Sequence, residues 1–250
     1  MAKDNNLKDL FSPDDYLYFY SDLLNEKRSE KEVGFLVDKL RLKAPMKLLD
    51  LPCGFGRHSN RLAKLGLDVT GVDVTEGFLK IAKTKAASLG VEVKYLKGDM
   101  RKVKFKREFD RAIMIFTAFG YFDDKDNFRV LKNIHRALKD DGIFCFDTVN
   151  KDVFSKQYLP FVVNDKDGDL MIDRNHYDEK KSRIYNERII VRDGVRRDVD
   201  YFLRLYNPNE IRTLLKKAHF SNVAIYADWD GAPFTDEDMR MIIVAHKSSM

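Results

Sequence analysis

Between residues 47 and 149 the chain alternates two apolar patterns. Short runs at 47–51, 69–72, 92–96, 111–116 and 143–149 have the length of buried strands, while stretches beginning at Arg57, Glu76 and Asp124 repeat apolar residues at helical spacing. Strands separated by helices of this length predict right-handed βαβ units and a parallel sheet. After Asn150 the period drops to two. Residues 170–177, 183–191 and 199–206 alternate between charged turns such as Asp193-Gly194, which predicts an antiparallel sheet inserted as a cover. A helix over 208–218 follows, then strands at 223–226 and 241–245. Upstream, residues 13–43 hold two helical patterns. The second, around Glu32 to Leu40, packs on the sheet, and the first, Tyr16-Leu17-Tyr18-Phe19-Tyr20, is aromatic enough to serve as a flap.

The first βα connection is the most informative. Lys47-Leu48-Leu49-Asp50-Leu51-Pro52-Cys53-Gly54-Phe55-Gly56-Arg57 ends a strand in a carboxylate and turns through two glycines into a helix. Such a loop exposes backbone N–H groups and lets a ligand approach the main chain. The next run ends in Asp73, about 20 residues further on, where an acidic side chain can take both ribose hydroxyls. The third ends in Gly98-Asp99-Met100. Three strands therefore finish in carboxylates at the edge where open α/β sheets bind ligands. A pyrophosphate would meet Asp50 at short range, and Ser59 occupies the usual third glycine position of a dinucleotide loop, so phosphate fits poorly. S-adenosylmethionine, a sulfonium and ammonium without phosphate, suits an acidic rim better. On this reading Asp73 holds the ribose, Asp99 accepts from the adenine amino group and Met100 packs on the ring, with Cys53 and Val74 flanking.

At these residues, and at Phe109-Asp110, Phe116 to Phe122 and Leu138 to Gly142, the chain resembles the class I S-adenosylmethionine-dependent methyltransferases. The likeness is narrowest to the branch of glycine N-methyltransferase and the amino-sugar N,N-dimethyltransferases. It implies a Rossmann-like, seven-stranded, mostly parallel sheet with helices on both faces. It also implies one domain over 1–250, with an N-terminal helical flap at 1–45 and an inserted antiparallel β lid at 151–206. By the same likeness Tyr20 and Arg28 contact the methionyl part of the donor; Phe116, which follows the fourth strand where the acceptor should meet the donor methyl, is a further candidate for the donor site.

Composition narrows the class. At 250 residues with 44% hydrophobic and 34% charged content, one large domain with a good core is expected. No apolar stretch approaches the roughly 20 residues of a membrane span, and the first residues lack a signal-peptide core, so a cytoplasmic protein is expected. Cys53 and Cys145 support neither a disulfide framework nor a cysteine-rich metal site; both read as buried thiols. The net charge of +5 is a mild excess, and its densest stretches, 102–107 and 192–197, read as solvated faces. Nucleic acid is not the expected partner; a small-molecule acceptor is, to a monomer or homodimer.

Methyl transfer from a sulfonium is an in-line displacement, so the catalyst mainly positions the acceptor and excludes water. An amine acceptor must arrive neutral; an alcohol needs a stronger base or a metal. Candidates for acceptor positioning are Tyr121, His58 beside the glycine loop and Asp230 in the Asp228-Trp229-Asp230-Gly231 turn. His176, Arg204 and Trp229 are candidates for acceptor binding, Arg204 by bidentate pairing with an acidic group. The expected activity is methyl transfer to a small molecule, most readily an amine nitrogen. Three alternatives stay open: an RNA methyltransferase, a non-catalytic S-adenosylmethionine sensor and a nicotinamide oxidoreductase.

Overall fold

The computed structural model describes residues 10–248. The first nine residues of the expected flap lie outside the described residues. Helix α1 (Pro13–Phe19), a short 3-10 turn (Ser21–Leu23) and α2 (Glu26–Lys39) precede the alternating β/α core. That core runs β1 (Lys47–Asp50), α3 (Arg57–Lys64), β2 (Asp68–Asp73), α4 (Glu76–Ser88), β3 (Lys94–Lys97), β4 (Phe109–Met114), α5 (Asp124–Ala137) and β5 (Leu138–Val149). Then come α6 (Lys151–Gln157), the strands β6 (Phe161–Lys166), β7 (Asp169–Asp178), β8 (Arg183–Arg192) and β9 (Val195–Arg204), helix α7 (Pro208–Lys217) and the pair β10 (Phe220–Tyr226) and β11 (Arg240–Lys247).

Seven strands form one sheet in the order β10-β11-β5-β4-β1-β2-β3, with β11 antiparallel to its neighbours and the rest parallel. The chain steps outward from β1 to β3 and returns to β4 on the other side of β1. That reversal leaves a crevice at the carboxyl ends of β1 and β4. Both faces are covered, which is why the strands read as continuous apolar runs. Leu49, Met114, Phe144 and Phe146 pack with Val130 and Ile134 of α5 and with Ile211 and Leu215 of α7. Leu48, Ile113, Cys145 and Ile242 pack on the other face with Leu36 of α2 and Leu62 of α3. Helix starts are fixed locally: the side chains of Asn25, Asp123 and Asn207 accept from the N–H groups of Arg28, Asp126 and Glu210, the last in a reciprocal capping box.

The second sheet is a four-stranded antiparallel meander, β6-β7-β8-β9. Strand β6 and helix α6 were not anticipated, for a physical reason. Phe161, Val162 and Val163 lie exposed on an edge strand without alternation, and seven residues of α6 are too few to display a period. The meander sits on α1: Phe19 packs with Met171 and Ile190, Tyr18 Oη donates to the Lys166 carbonyl at 2.9 Å, and Asn164 Nδ2 donates to the Phe19 carbonyl at 3.2 Å. Buried Asp15 pairs with Arg192 and Arg197. At the other end the Arg204 N–H donates to the Gly120 carbonyl at 2.8 Å. Gly120 has φ +112°, and a Cβ there would meet the Arg204 carbonyl oxygen at 2.5 Å. Helix α1, the meander and the loop after β4 thus cover the crevice together. Among the described residues no helix is long and apolar enough to cross a membrane.

Candidate active site

Two glycines shape the loop after β1 in different ways. Gly56 starts α3 with φ +77°, and a Cβ there would press on the Tyr95 hydroxyl and Ala82. Gly54, at φ +51°, has nothing within 4 Å of where a Cβ would stand. Its N–H donates to Asp73 Oδ2 at 2.8 Å, and Asp73 Oδ1 accepts from the Thr75 N–H at 2.8 Å. Burial raises the Asp73 carboxyl above its ordinary range, opposed by these N–H groups. A cavity of about 300 Å³ opens over Gly54, Asp73, Val74 and Met100 and rises to α1 and the lid.

The floor beside the loop is held by one fully buried carboxylate, Glu32 of α2. It accepts from Arg28 Nε at 2.8 Å, from Arg57 Nη1 and from His58 Nε2 at 2.9 Å. Burial by itself would raise Glu32, but His58, Arg57 and Arg28 hold it at about 2. His58 is driven to about 4, first by burial and then by the Arg57 charge, so it is neutral at physiological pH. Arg57 is 6% exposed, donates also to Ser29 Oγ at 3.1 Å and keeps its Nη2 buried without a hydrogen-bond partner. Arg28 and Arg57 stand 5.1 and 5.6 Å from the ring centroid of Phe116.

Aromatic rings enclose the upper part. Tyr16 lies 4.9 Å from Tyr20, 5.2 Å from Phe78 and 6.4 Å from Phe116; Phe11 lies 5.4 Å from Tyr121, and Tyr121 6.3 Å from Tyr201. Burial pushes the Tyr16, Tyr121 and Tyr201 phenols well up, so they keep their protons. Arg188 of β8 pairs with Asp173 at 2.7 Å and donates to the hydroxyls of Tyr20 at 3.0 Å and Tyr201 at 3.3 Å. After β4 the backbone enters the left-handed region at Phe116 (φ 76°) and Thr117 (φ 56°), a costly conformation for residues with a Cβ. Fully buried Asp147 accepts both N–H groups, at 2.6 and 3.2 Å, and pairs with Arg240 of β11.

Tyr20, Arg28, Cys53, Gly54, His58, Asp73, Val74, Met100, Phe116 and Tyr121 therefore share one cavity. Asp50, Gly56, Asp99, His176, Arg204, Trp229 and Asp230 are not part of its lining. Asp50, 2% exposed, accepts from Ser59 Oγ at 2.6 Å beneath the loop, and burial lifts its carboxyl to about 7. Asp99 is bound by Arg101 at 2.8 Å; burial would raise it, but Arg101 brings it below its ordinary range. The three carboxylates thus do not form one anionic rim: one is buried, one is neutralised, and Asp73 alone of the three lines the cavity. Arg204 is spent on Asp124 and Glu210, both at 3.0 Å, and stacks on Tyr206. Trp229 packs edge-on to Phe35, Asp230 pairs with Lys31 on the surface, and His176 is exposed on β7. Glu32, Arg188, Tyr201, Asp147 and Arg240 had escaped the sequence reading. Only Glu32 carried a signal, its i,i+4 spacing from Arg28.

The residues suit S-adenosylmethionine. The orphaned Nη2 of Arg57, with Arg28 beside it, offers donors to a carboxylate; Asp73 offers an acceptor to ribose hydroxyls; and the open side of Gly54 admits a ligand against the main chain.

Residues 48–142 match the family described as "Methyltransferase domain". The protein YqeM of Bacillus subtilis (strain 168), named as a methyltransferase, is 28% identical over 209 residues, covering 81% of this chain and 84% of its own. The glycine/sarcosine N-methyltransferase of Aphanothece halophytica is 25% identical over 239 residues, 91% of this chain and 86% of its own. The crystal structure of an S-adenosylmethionine-dependent methyltransferase from Clostridium acetobutylicum ATCC 824 superposes with a TM-score of 0.81 at 20% identity, covering 94% of this chain and 99% of that one. With the strand order, the glycine loop and the cavity, the methyltransferase domain matched over residues 48–142 and these likenesses support a class I S-adenosylmethionine-dependent methyltransferase.

Proposed function

We propose that this enzyme methylates the nitrogen of a small amine. The observation that carries the reading is the ring-lined upper cavity formed by Phe11, Tyr16, Tyr20, Phe116, Tyr121 and Tyr201. The donor supplies an electrophilic methyl group on a sulfonium, and positive charge passes to the acceptor nitrogen as the bond forms. Ring faces attract such a cation by about 0.5–2 kcal/mol each when desolvated.

The protonation of the site supports an amine over an alcohol. An apolar cavity lined also by Arg28, Arg57, Arg188 and Arg240 disfavours a second cation, so an ammonium loses its proton on entry. His58, neutral and with Nε2–H directed at the Glu32 carboxylate, leaves its other ring nitrogen to accept a hydrogen bond from a neutral amine. An alcohol needs a stronger base, and the tyrosines, pushed up by burial, hold their protons. The relative in Aphanothece halophytica is named for N-methylation, which agrees. Closure of flap and lid over a cavity of this size favours a small acceptor. A cavity lined by residues of the flap (1–45, described from residue 10), the parallel sheet and the lid (151–206) supports one domain.

The test offers purified enzyme and S-adenosylmethionine to matched panels of small amines and alcohols and to bulk tRNA, followed by product mass and S-adenosylhomocysteine release. Methylation of amines alone is expected. Turnover of alcohols or tRNA with none on amines overturns the reading.

A further inference from the structure

Apart from the donor cavity, the structure has a second concavity of about 860 Å³ between α5, the segment after Met100 and the turn at Ala218-His219. Seven of its lining residues are cations, Arg101, Lys102, Lys104, Lys125, Arg129, Lys132 and Arg136, and none is a carboxylate. The nearest acids, Asp99 and Asp126, are engaged by Arg101 and Arg129. Lys102, Lys104 and Lys125 make no ion pair among the described residues. The carbonyls of Val103 and Phe105 accept from Arg136. The groove therefore presents chiefly donors and positive charge, with no carboxylate among its lining residues.

A second, independent feature lies in its wall. His135 is 7% exposed, and its Nε2 is buried with no hydrogen-bond partner. A buried ring nitrogen left unpaired is costly in a finished structure and calls for a partner from outside it. The spacing indicates what kind. Lys125, Arg129, Lys132 and Arg136 recur at intervals of about one turn along one face of α5, so the row extends over about 16 Å. One compact anion satisfies one or two of these cations and leaves the rest repelling each other. The groove offers no open phenyl or indole platform for base stacking, since Phe128 is half-buried with Lys132 5.9 Å from its centroid and His135 is buried.

We propose that this groove is a binding site, separate from the methyl-transfer cavity, for a linear chain of phosphates such as inorganic polyphosphate. The site shares a wall with the donor cavity, because Asn133 Nδ2 donates to the carbonyl of Met100 at 3.0 Å and Met100 faces the donor cavity. It is independent of which acceptor the enzyme methylates.

The test titrates full-length protein with short-chain inorganic polyphosphate over a range of salt concentrations. Orthophosphate and a single-stranded RNA of similar charge serve as the other two arms. Binding that weakens steeply with salt is expected, and K125E/R129E/K132E should lose about 100-fold in affinity. The loop variant K102A/K104A, away from the helix, should lose about 10-fold and guards against a fold defect in the triple variant. Thermal stabilisation by S-adenosylhomocysteine, unchanged in both, certifies the fold. Equal polyphosphate binding by wild type and both variants overturns the proposal. So does equal competition by orthophosphate, or tighter binding of RNA than of polyphosphate.

Discussion

The crevice of the parallel sheet and the antiparallel sheet above it build their halves of the cavity by opposite means. Below, the ligand surface is largely backbone: Gly54 with an open side, the N–H groups of the loop, and one carboxylate, Asp73, that braces the Gly54 N–H. Above, it is side chain throughout, with Arg188 and Tyr201 linked to Tyr20 across three separate elements. The lesson is that a backbone site tolerates little change in shape, whereas a side-chain site tolerates substitution but alters its selectivity. The lower half suits an invariant donor and the upper half a variable acceptor.

Breaking the lower half should cost most. Gly54→Val puts a branched side chain into the open space at φ +51° and should weaken S-adenosylhomocysteine binding at least 100-fold, about 3 kcal/mol, by calorimetry, while circular dichroism shows the sheet intact. Retained binding would mean that the loop only turns the chain. Glu32→Gln leaves Arg28 and Arg57 without their shared counter-charge, and chemical denaturation should report a loss of about 3 kcal/mol. Asp73→Ala removes an acceptor from the ligand and the brace on Gly54, and should reduce donor affinity by about 1–3 kcal/mol.

A subtler test uses acid. His58 titrates at about 4 when folded against 6.5 unfolded, so the unfolded chain takes up the proton first as pH falls. Stability from neutral, buried His58 is complete above pH 6.5 and is lost between 6.5 and about 4, on the order of 3 kcal/mol. Glu32, depressed from 4.5 to about 2, extends the loss to lower pH. His58→Asn should flatten the upper part of that slope. The smallest effects belong to the lid. Tyr201→Phe should raise acceptor KM a few-fold without changing donor affinity, and exposed His176→Ala should change neither. An equal effect of Tyr201→Phe on donor affinity would erase the distinction between the halves.

Legibility in the sequence follows the same division. The helix starts at Arg57, Glu76 and Asp124 and the strands around the glycine loop emerge where periodicity predicts them, because caps, glycines and apolar period act locally. In the antiparallel sheet alternation reveals strands but not which face turns inward. His176 and Arg188 both lie on the meander, and only the docking of that sheet on Phe19 decides that Arg188 meets the cavity and His176 meets solvent. The carboxylates show the limit from the other side. Asp50, Asp73 and Asp99 look equivalent as acids following strands, yet their surroundings differ. Full burial lifts the Asp50 carboxyl toward neutrality against the Ser59 hydrogen bond, and Arg101 captures Asp99.

By itself the amino-acid order determined the alternation of strands and helices, the glycine turn, the acid that follows β2 and the change of period after Asn150. Each of these is set by steric and solvation preferences over a few neighbouring residues. Tertiary structure alone decided which charges face the ligand. Burial and distant partners, such as Glu32 for Arg57 and Asp173 for Arg188, set the protonation and direction of a side chain through contacts that residues far apart in the chain make only after folding.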